Sequence, residues 1–214
     1  METKTLTKKE RDKLSPSDVQ KRLMKGNLRF TGTKEMIRRD YKKEIEETAS
    51  GQFPCAVVLG CIDSRVPAEI VFDQGIGNIF SIRVAGNVLN NDVIGSMEFA
   101  CKVAGAKLVV VLGHTRCGAV KGACDDVQLG KLTGLVDKIK PAVIKAIRDE
   151  EAYYGNSYNS EFLEAVAKKN VAYVIEAIPE ESEVLKKMAK IGQIEIVGAM
   201  YYVETGRVEF DTMN

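Results

Sequence analysis

Two apolar runs in this chain end in the same four residues and are then followed by side chains that could hold a metal. Val57-Val-Leu-Gly60 leads into Cys61-Ile-Asp63-Ser-Arg65, and Val110-Val-Leu-Gly113 leads into His114-Thr-Arg-Cys117-Gly118. His-x-x-Cys at the start of a helix sets two ligands on one turn, and Cys61 offers a third. Thiolate and imidazole together suit zinc. A catalytic zinc keeps its fourth position for water or substrate, whereas a structural zinc needs a fourth ligand. Asp63, Cys101 and Cys124 are the candidates for that fourth ligand, Asp63 being nearest in sequence. Taken alone, His-x-x-Cys is a weak pattern, and Cys61 also reads as a small buried residue at a strand end. A thiol nucleophile paired with His114 leaves the second cysteine unexplained. The matched placement after two like strands favours one zinc ion that activates a water molecule.

Asp63-Ser64-Arg65 has a structural reading, a loop carboxylate paired with a guanidinium. It also has a chemical one. Arg65 would keep Asp63 ionised and oriented, and Asp63 would accept a hydrogen bond from the water-derived nucleophile and aim its lone pair. Zinc with two thiolates and one imidazole is formally neutral, so its water is acidified less than in a three-imidazole site. The expectation is activity that rises toward alkaline pH. His114 is the single histidine of the chain. No second imidazole is left to carry protons, so proton release should depend on water, carboxylates or external buffer.

These residues need a scaffold that brings two strand ends together. At 214 residues the chain suits one α/β domain. A net charge of +1 argues against a nucleic-acid groove or a membrane surface. The charged N-terminus and the lack of a long apolar run give a cytoplasmic expectation. Five dispersed cysteines suit metal or thiol chemistry better than a disulfide framework. Helices are predicted over 17–30, with Ser17 as N-cap, and over 35–49, with Ile37, Tyr41 and Ile45 on one stripe. Both are thinly apolar, so residues 1–50 read as an arm that packs outside its own core, most simply on a second subunit. Residues 51–214 read as the zinc-binding α/β domain. Strands are predicted at Cys55–Gly60, Ile79–Val84 and Lys107–Leu112. Helical segments are predicted at Pro67–Phe72 and Asp92–Ala104, from about Gly118, and over 135–148, 160–176 and 180–190. A late hairpin pairs Gln193–Val203 with Val208–Phe210. The alternation implies a Rossmann-like, mainly parallel sheet flanked by helices, with ligands at the carboxyl ends of its strands.

At these residues the sequence resembles the β-class carbonic anhydrases. The match runs through Cys61-Ile-Asp-Ser-Arg-Val-Pro, Asn78-Ile-Phe-Ser-Ile-Arg-Val-Ala-Gly-Asn-Val and Gly113-His-Thr-Arg-Cys-Gly-Ala-Val. The resemblance implies reversible hydration of CO2 to bicarbonate and a proton, by zinc-bound hydroxide oriented by an Asp-Arg dyad. It also implies a homodimer or homotetramer embraced by the N-terminal arm. Cys61, His114 and Cys117 match the zinc ligands, and Asp63 and Arg65 the dyad. Gln52, Phe80, Ala85, Phe99 and Gly118 match substrate-pocket positions. Phe99 stands where a tyrosine is common, so any role of that hydroxyl is missing here. Val58 stands where a closed-site branch carries tryptophan, and the chain has no tryptophan. With Gln52 this resembles the branch whose zinc stays open.

Two other readings remain: a zinc enzyme acting on a CO2-like molecule such as carbon disulfide, and a non-catalytic module around a four-ligand zinc. A dinucleotide fingerprint is not found, since Gly75-Ile-Gly77-Asn-Ile-Phe80 lacks the third glycine. The deaminase pattern is also absent.

Overall fold

The computed structural model describes residues 5–32, 35–37, 39–149 and 159–210. It is built on five strands: β1 (Ala56–Gly60), β2 (Ile79–Arg83), β3 (Leu108–His114), β4 (Glu195–Tyr201) and β5 (Val208–Phe210). They lie in the order β2-β1-β3-β4-β5. The first four run parallel and β5 pairs antiparallel with β4. β1 and β3 are buried at every position, as strands covered on both faces must be.

Alternation along these two strands divides the interior into two cores. Val57, Leu59, Val109 and Val111 join one, and Ala56, Val58, Leu108, Val110 and Leu112 join the other. The first core is closed by six helices: α5 (Asn91–Glu98), α6 (Gly118–Cys124), α7 (Gly130–Val136), α8 (Lys140–Asp149), α9 (Ser160–Glu181) and α10 (Glu183–Lys190). The second is closed by α2 (Pro16–Phe30) and α4 (Ala68–Val71).

The N-terminal segment is better anchored to its own chain than its sparse apolar residues suggest. α2 begins one residue before the expected start, at Pro16, and Ser15 rather than Ser17 is its N-cap. Ser15 and Asp18 form a reciprocal capping box, and Pro16 at the first helical position has no N–H to leave unpaired. Val19 and Leu23 are fully buried in the second core, so the inner face of α2 packs on this subunit. The approach is close: a Cβ on Gly26 would stand 1.8 Å from the Phe72 carbonyl oxygen. Met24 and Leu28 remain exposed on α2.

α3 (Tyr41–Thr48) is shorter than the expected 35–49 helix, and residues 33, 34 and 38 lie outside the described residues. Asp73 has no exposed side-chain surface and ties this region down. It accepts from Arg29 at 2.5 Å and from Arg39 at 2.8 Å. Arg39 also pairs with Glu44 at 3.2 Å, and Glu44 accepts from the Ile76 amide at 3.0 Å.

Three further boundaries differ from expectation. The 92–104 helix widens after Glu98 into a π turn over Phe99–Val103. The 135–148 helix is instead α7 (Gly130–Val136), a 3₁₀ turn and α8. α9 runs on through Pro179 to Glu181, and Ser182 both ends it and caps α10. No helix among the described residues is long and apolar enough to cross a membrane.

Candidate metal centre

β1 and β3 are neighbours in register, with Gly60 opposite Leu112. Their carboxyl ends are therefore level. Cys61 is the first residue beyond β1, His114 the last of β3, and Cys117 the N-cap of α6. One ligand atom from each of these three residues lies within 4.8 Å of the others, the only such group of three among the described residues. All three side chains are buried.

The chemistry of this cluster fits a cation. The Nδ1 of His114 lies 2.8 Å from the Thr115 carbonyl, which can only accept, so Nδ1 carries the proton. Nε2 is then the nitrogen open to a ligand, buried and without a partner among the described residues. The two sulfurs are 4.0 Å apart. The hydrogen bond between them holds the Cys61 thiol well below its usual range and Cys117 well above it. Two thiolates so close and so buried repel; a divalent ion between them would let both ionise. Ala119 and Val120 amides at the start of α6 favour the Cys117 thiolate.

Asp63 stands beside this cluster. Its Oδ2 is 4.0 Å from His114 Nε2. Arg65 holds both of its oxygens, Nε donating to Oδ1 at 2.9 Å and Nη2 to Oδ2 at 2.8 Å. Those bonds keep the Asp63 carboxyl well below the usual carboxylate range. Arg65 also reaches the Arg116 carbonyl at 3.3 Å, so it links the two loops.

Several supporting residues escaped the sequence reading. Arg83, at the end of β2, donates to the Cys61 and Asp63 carbonyls at 3.0 and 2.6 Å and fixes the path of that loop. The Thr115 hydroxyl donates to Glu204 at 2.9 Å and accepts from the Val203 amide at 3.1 Å. Arg116, at φ +55°, pairs with the same carboxylate at 2.5 Å. Glu204 therefore clasps the turn between His114 and Cys117 from the β4–β5 hairpin. Arg83 falls within a matched block, which was a usable signal; nothing local points to Glu204.

The expected pocket residues are more scattered. Ala85 adjoins Gly86, whose amide donates to the Cys61 sulfur at 3.3 Å. Gly118 lines a cavity of about 420 Å³ with Thr115, Arg116, Cys117, Tyr202 and Glu204. Gln52 is exposed at the amino end of β1, on a separate cavity with Thr48 and Ile76. Phe80 pairs in register with Val57, four residues before Cys61. Phe99 is 53% exposed and meets the Phe80 ring edge-on, centroids 6.3 Å apart. Of the alternative fourth ligands, Cys101 is buried in the core and Cys124 packs against it, and neither belongs to the cluster.

A mainly parallel sheet with Cys, His and Cys gathered at two neighbouring strand ends defines an α/β protein with a crevice whose residues could hold a metal ion. The family model described as "Carbonic anhydrase" matches residues 56–208. The chain is 36% identical over 198 residues to carbonic anhydrase 2 of Mycobacterium tuberculosis, covering 90% of this chain and 91% of that protein. It is 32% identical over 200 residues to the carbonic anhydrase of Mycolicibacterium smegmatis, covering 91% and 93%. Among solved structures, the β-carbonic anhydrase CafA of Aspergillus fumigatus is similar with a TM-score of 0.71 and 26% identity, over 80% of this chain and 82% of that one. The chain belongs to the β-class carbonic anhydrases and is an enzyme of that activity.

Proposed function

We propose that the chain binds one zinc ion through Cys61 Sγ, His114 Nε2 and Cys117 Sγ, and that Asp63 and Arg65 direct the hydration of CO2 there. The observation that carries this reading is the buried Nε2 of His114, without a partner among the described residues, in a cluster with two cysteines and 4.0 Å from Asp63 Oδ2. Zinc held there would supply an acidified water as nucleophile. Asp63 accepts that nucleophile's proton in a hydrogen bond and thereby sets its direction, and Arg65 fixes the carboxylate plane through two parallel bonds. Arg65 engages both Asp63 oxygens and so competes with their use as a fourth ligand, which supports the open-site, glutamine-containing branch.

The pocket reading carries a geometric consequence. At about 3.3 Å per residue, Phe80 sits roughly 13 Å along the sheet from Cys61 of its own chain. Gln52 lies at the far end of β1. We therefore assign Gln52, Phe80 and Phe99 to the pocket of a paired subunit, and Ala85 and Gly118 to the pocket of their own. Exposed Ile62, Phe99 and Val103 supply apolar surface for such pairing, in a homodimer or homotetramer.

The test is stopped-flow hydration with a pH indicator, alongside metal analysis. One zinc per chain and a rate that falls by roughly 10²-fold in Asp63→Ala, at unchanged zinc content, is the expected result. Full activity in a metal-replete Asp63→Ala would overturn the dyad.

A further inference from the structure

Asn170 lies in the middle of α9 among Val166, Ala167, Val171 and Val174, and all of these side chains are buried. An amide in such surroundings is costly unless its groups are paired. Its Nδ2 donates to the Gly86 carbonyl at 2.9 Å. Its Oδ1 has no partner among the described residues. The position is thus explained by its donor alone, and that donor has one target.

Gly86 is an unusual target. It adopts φ +68° and ψ 17° inside the 3₁₀ turn that follows β2. A Cβ there would push on Ile139 Cδ1 at 2.6 Å, and the left-handed backbone strains any side chain at this position. This conformation turns the Gly86 amide onto the Cys61 sulfur at 3.3 Å. An N–H aimed at a thiolate draws charge from it, which lowers what that sulfur donates to a metal. In a ligand set with two thiolates, such withdrawal preserves the electrophilicity of the ion.

We propose that Asn170 is a positioning residue. By holding the Gly86 carbonyl it fixes the Gly86 N–H on the Cys61 sulfur, and so sets the charge that this sulfur gives to the metal. The proposal rests on the reading that Cys61 ligates the ion. Asn170 touches neither substrate nor metal; it acts through the Gly86 backbone.

The experiment uses the full chain loaded with cobalt(II) in place of zinc, as wild type and as Asn170→Leu. Both should take up one cobalt per chain. The sulfur-to-cobalt charge-transfer absorption should move to longer wavelength in the variant, because a sulfur without its hydrogen bond gives up an electron more readily. In parallel, wild type labelled with ¹⁵N-glycine and loaded with ¹¹³Cd should show scalar coupling between cadmium and the Gly86 amide proton. An unmoved band in a folded, cobalt-replete Asn170→Leu overturns the proposal. So does the absence of cadmium coupling at Gly86, a measurement that needs no variant. Failure of the wild type to bind either metal would instead remove the metal-site reading itself, and this inference with it.

Discussion

Arg65 holds Asp63 by two parallel hydrogen bonds of 2.9 and 2.8 Å, with the carboxylate edge turned toward His114. Only a planar fork can make both bonds at once. Arg65→Lys keeps the positive charge and loses the second contact. Its hydration rate should fall by roughly 10-fold or more while zinc content stays at wild-type level, since each lost charge-assisted bond is worth about 1.5–3 kcal/mol. A lysine variant as fast as wild type would show that charge alone suffices.

The proposed zinc ligand set has two thiolates for one imidazole. Zinc so bound acidifies water less than a three-imidazole site, so hydration should rise from neutral toward alkaline pH. At fixed pH, turnover should climb with added imidazole buffer, because the single histidine of the chain is committed to the cluster. Initial rates across a pH and buffer grid check both. A flat profile in either dimension counts against the corresponding argument.

Thiol reactivity should separate the cysteines. Burial pushes Cys101 up to about 12 and Cys124 up to about 11, and it also raises Cys55. Raised thiols stay protonated below those values, so alkylation of these three should be slow near pH 8 and accelerate only as pH approaches their range. Removing the metal with a chelator should release one fast-reacting thiol from the sulfur pair, Cys61, whose thiol is lowered by its hydrogen bond with Cys117. Peptide mass analysis of timed alkylation, with and without chelator, reads this directly. Rapid labelling of Cys101 in the holoprotein would contradict it.

Asp73, just after α4, ties α2 to the segment before α3. Replacing it by alanine leaves Arg29 and Arg39 without their shared carboxylate, at side-chain exposures of only 19% and 8%. Breaking a buried pair from one side costs about 3–5 kcal/mol. Urea unfolding of Asp73→Ala should show a loss of that order. A loss below about 1 kcal/mol, the usual ceiling for surface pairs, would mean that solvent reaches the site.

The central strands and the three cluster residues were legible because their signals are local. Unbroken apolar runs mark buried parallel strands, and rare ligand types follow them at once. Capping was partly misread: Pro16 looks like a breaker, yet at the first turn it is compatible with the helix, so Ser15 and not Ser17 is the cap. The π turn at Phe99 leaves no trace in local propensity, and it changes which way that ring faces. Glu204 and Asn170 were invisible for a different reason. Each acts on a loop far away in the chain, and a lone polar residue within an apolar stripe reveals its target only after the helix is docked.

The level ends of β1 and β3 carry a kinetic consequence. The two strands belong to distant parts of the chain, and parallel pairing of this kind closes late because a long loop must first be ordered. Shifting β1 by one residue against β3 would turn Cys61 to the opposite face of the sheet. An ion held by Cys61, His114 and Cys117 together, as proposed above, would therefore act as a proofreader of strand alignment. By mass action it would withdraw the correctly paired chain from its slipped competitors.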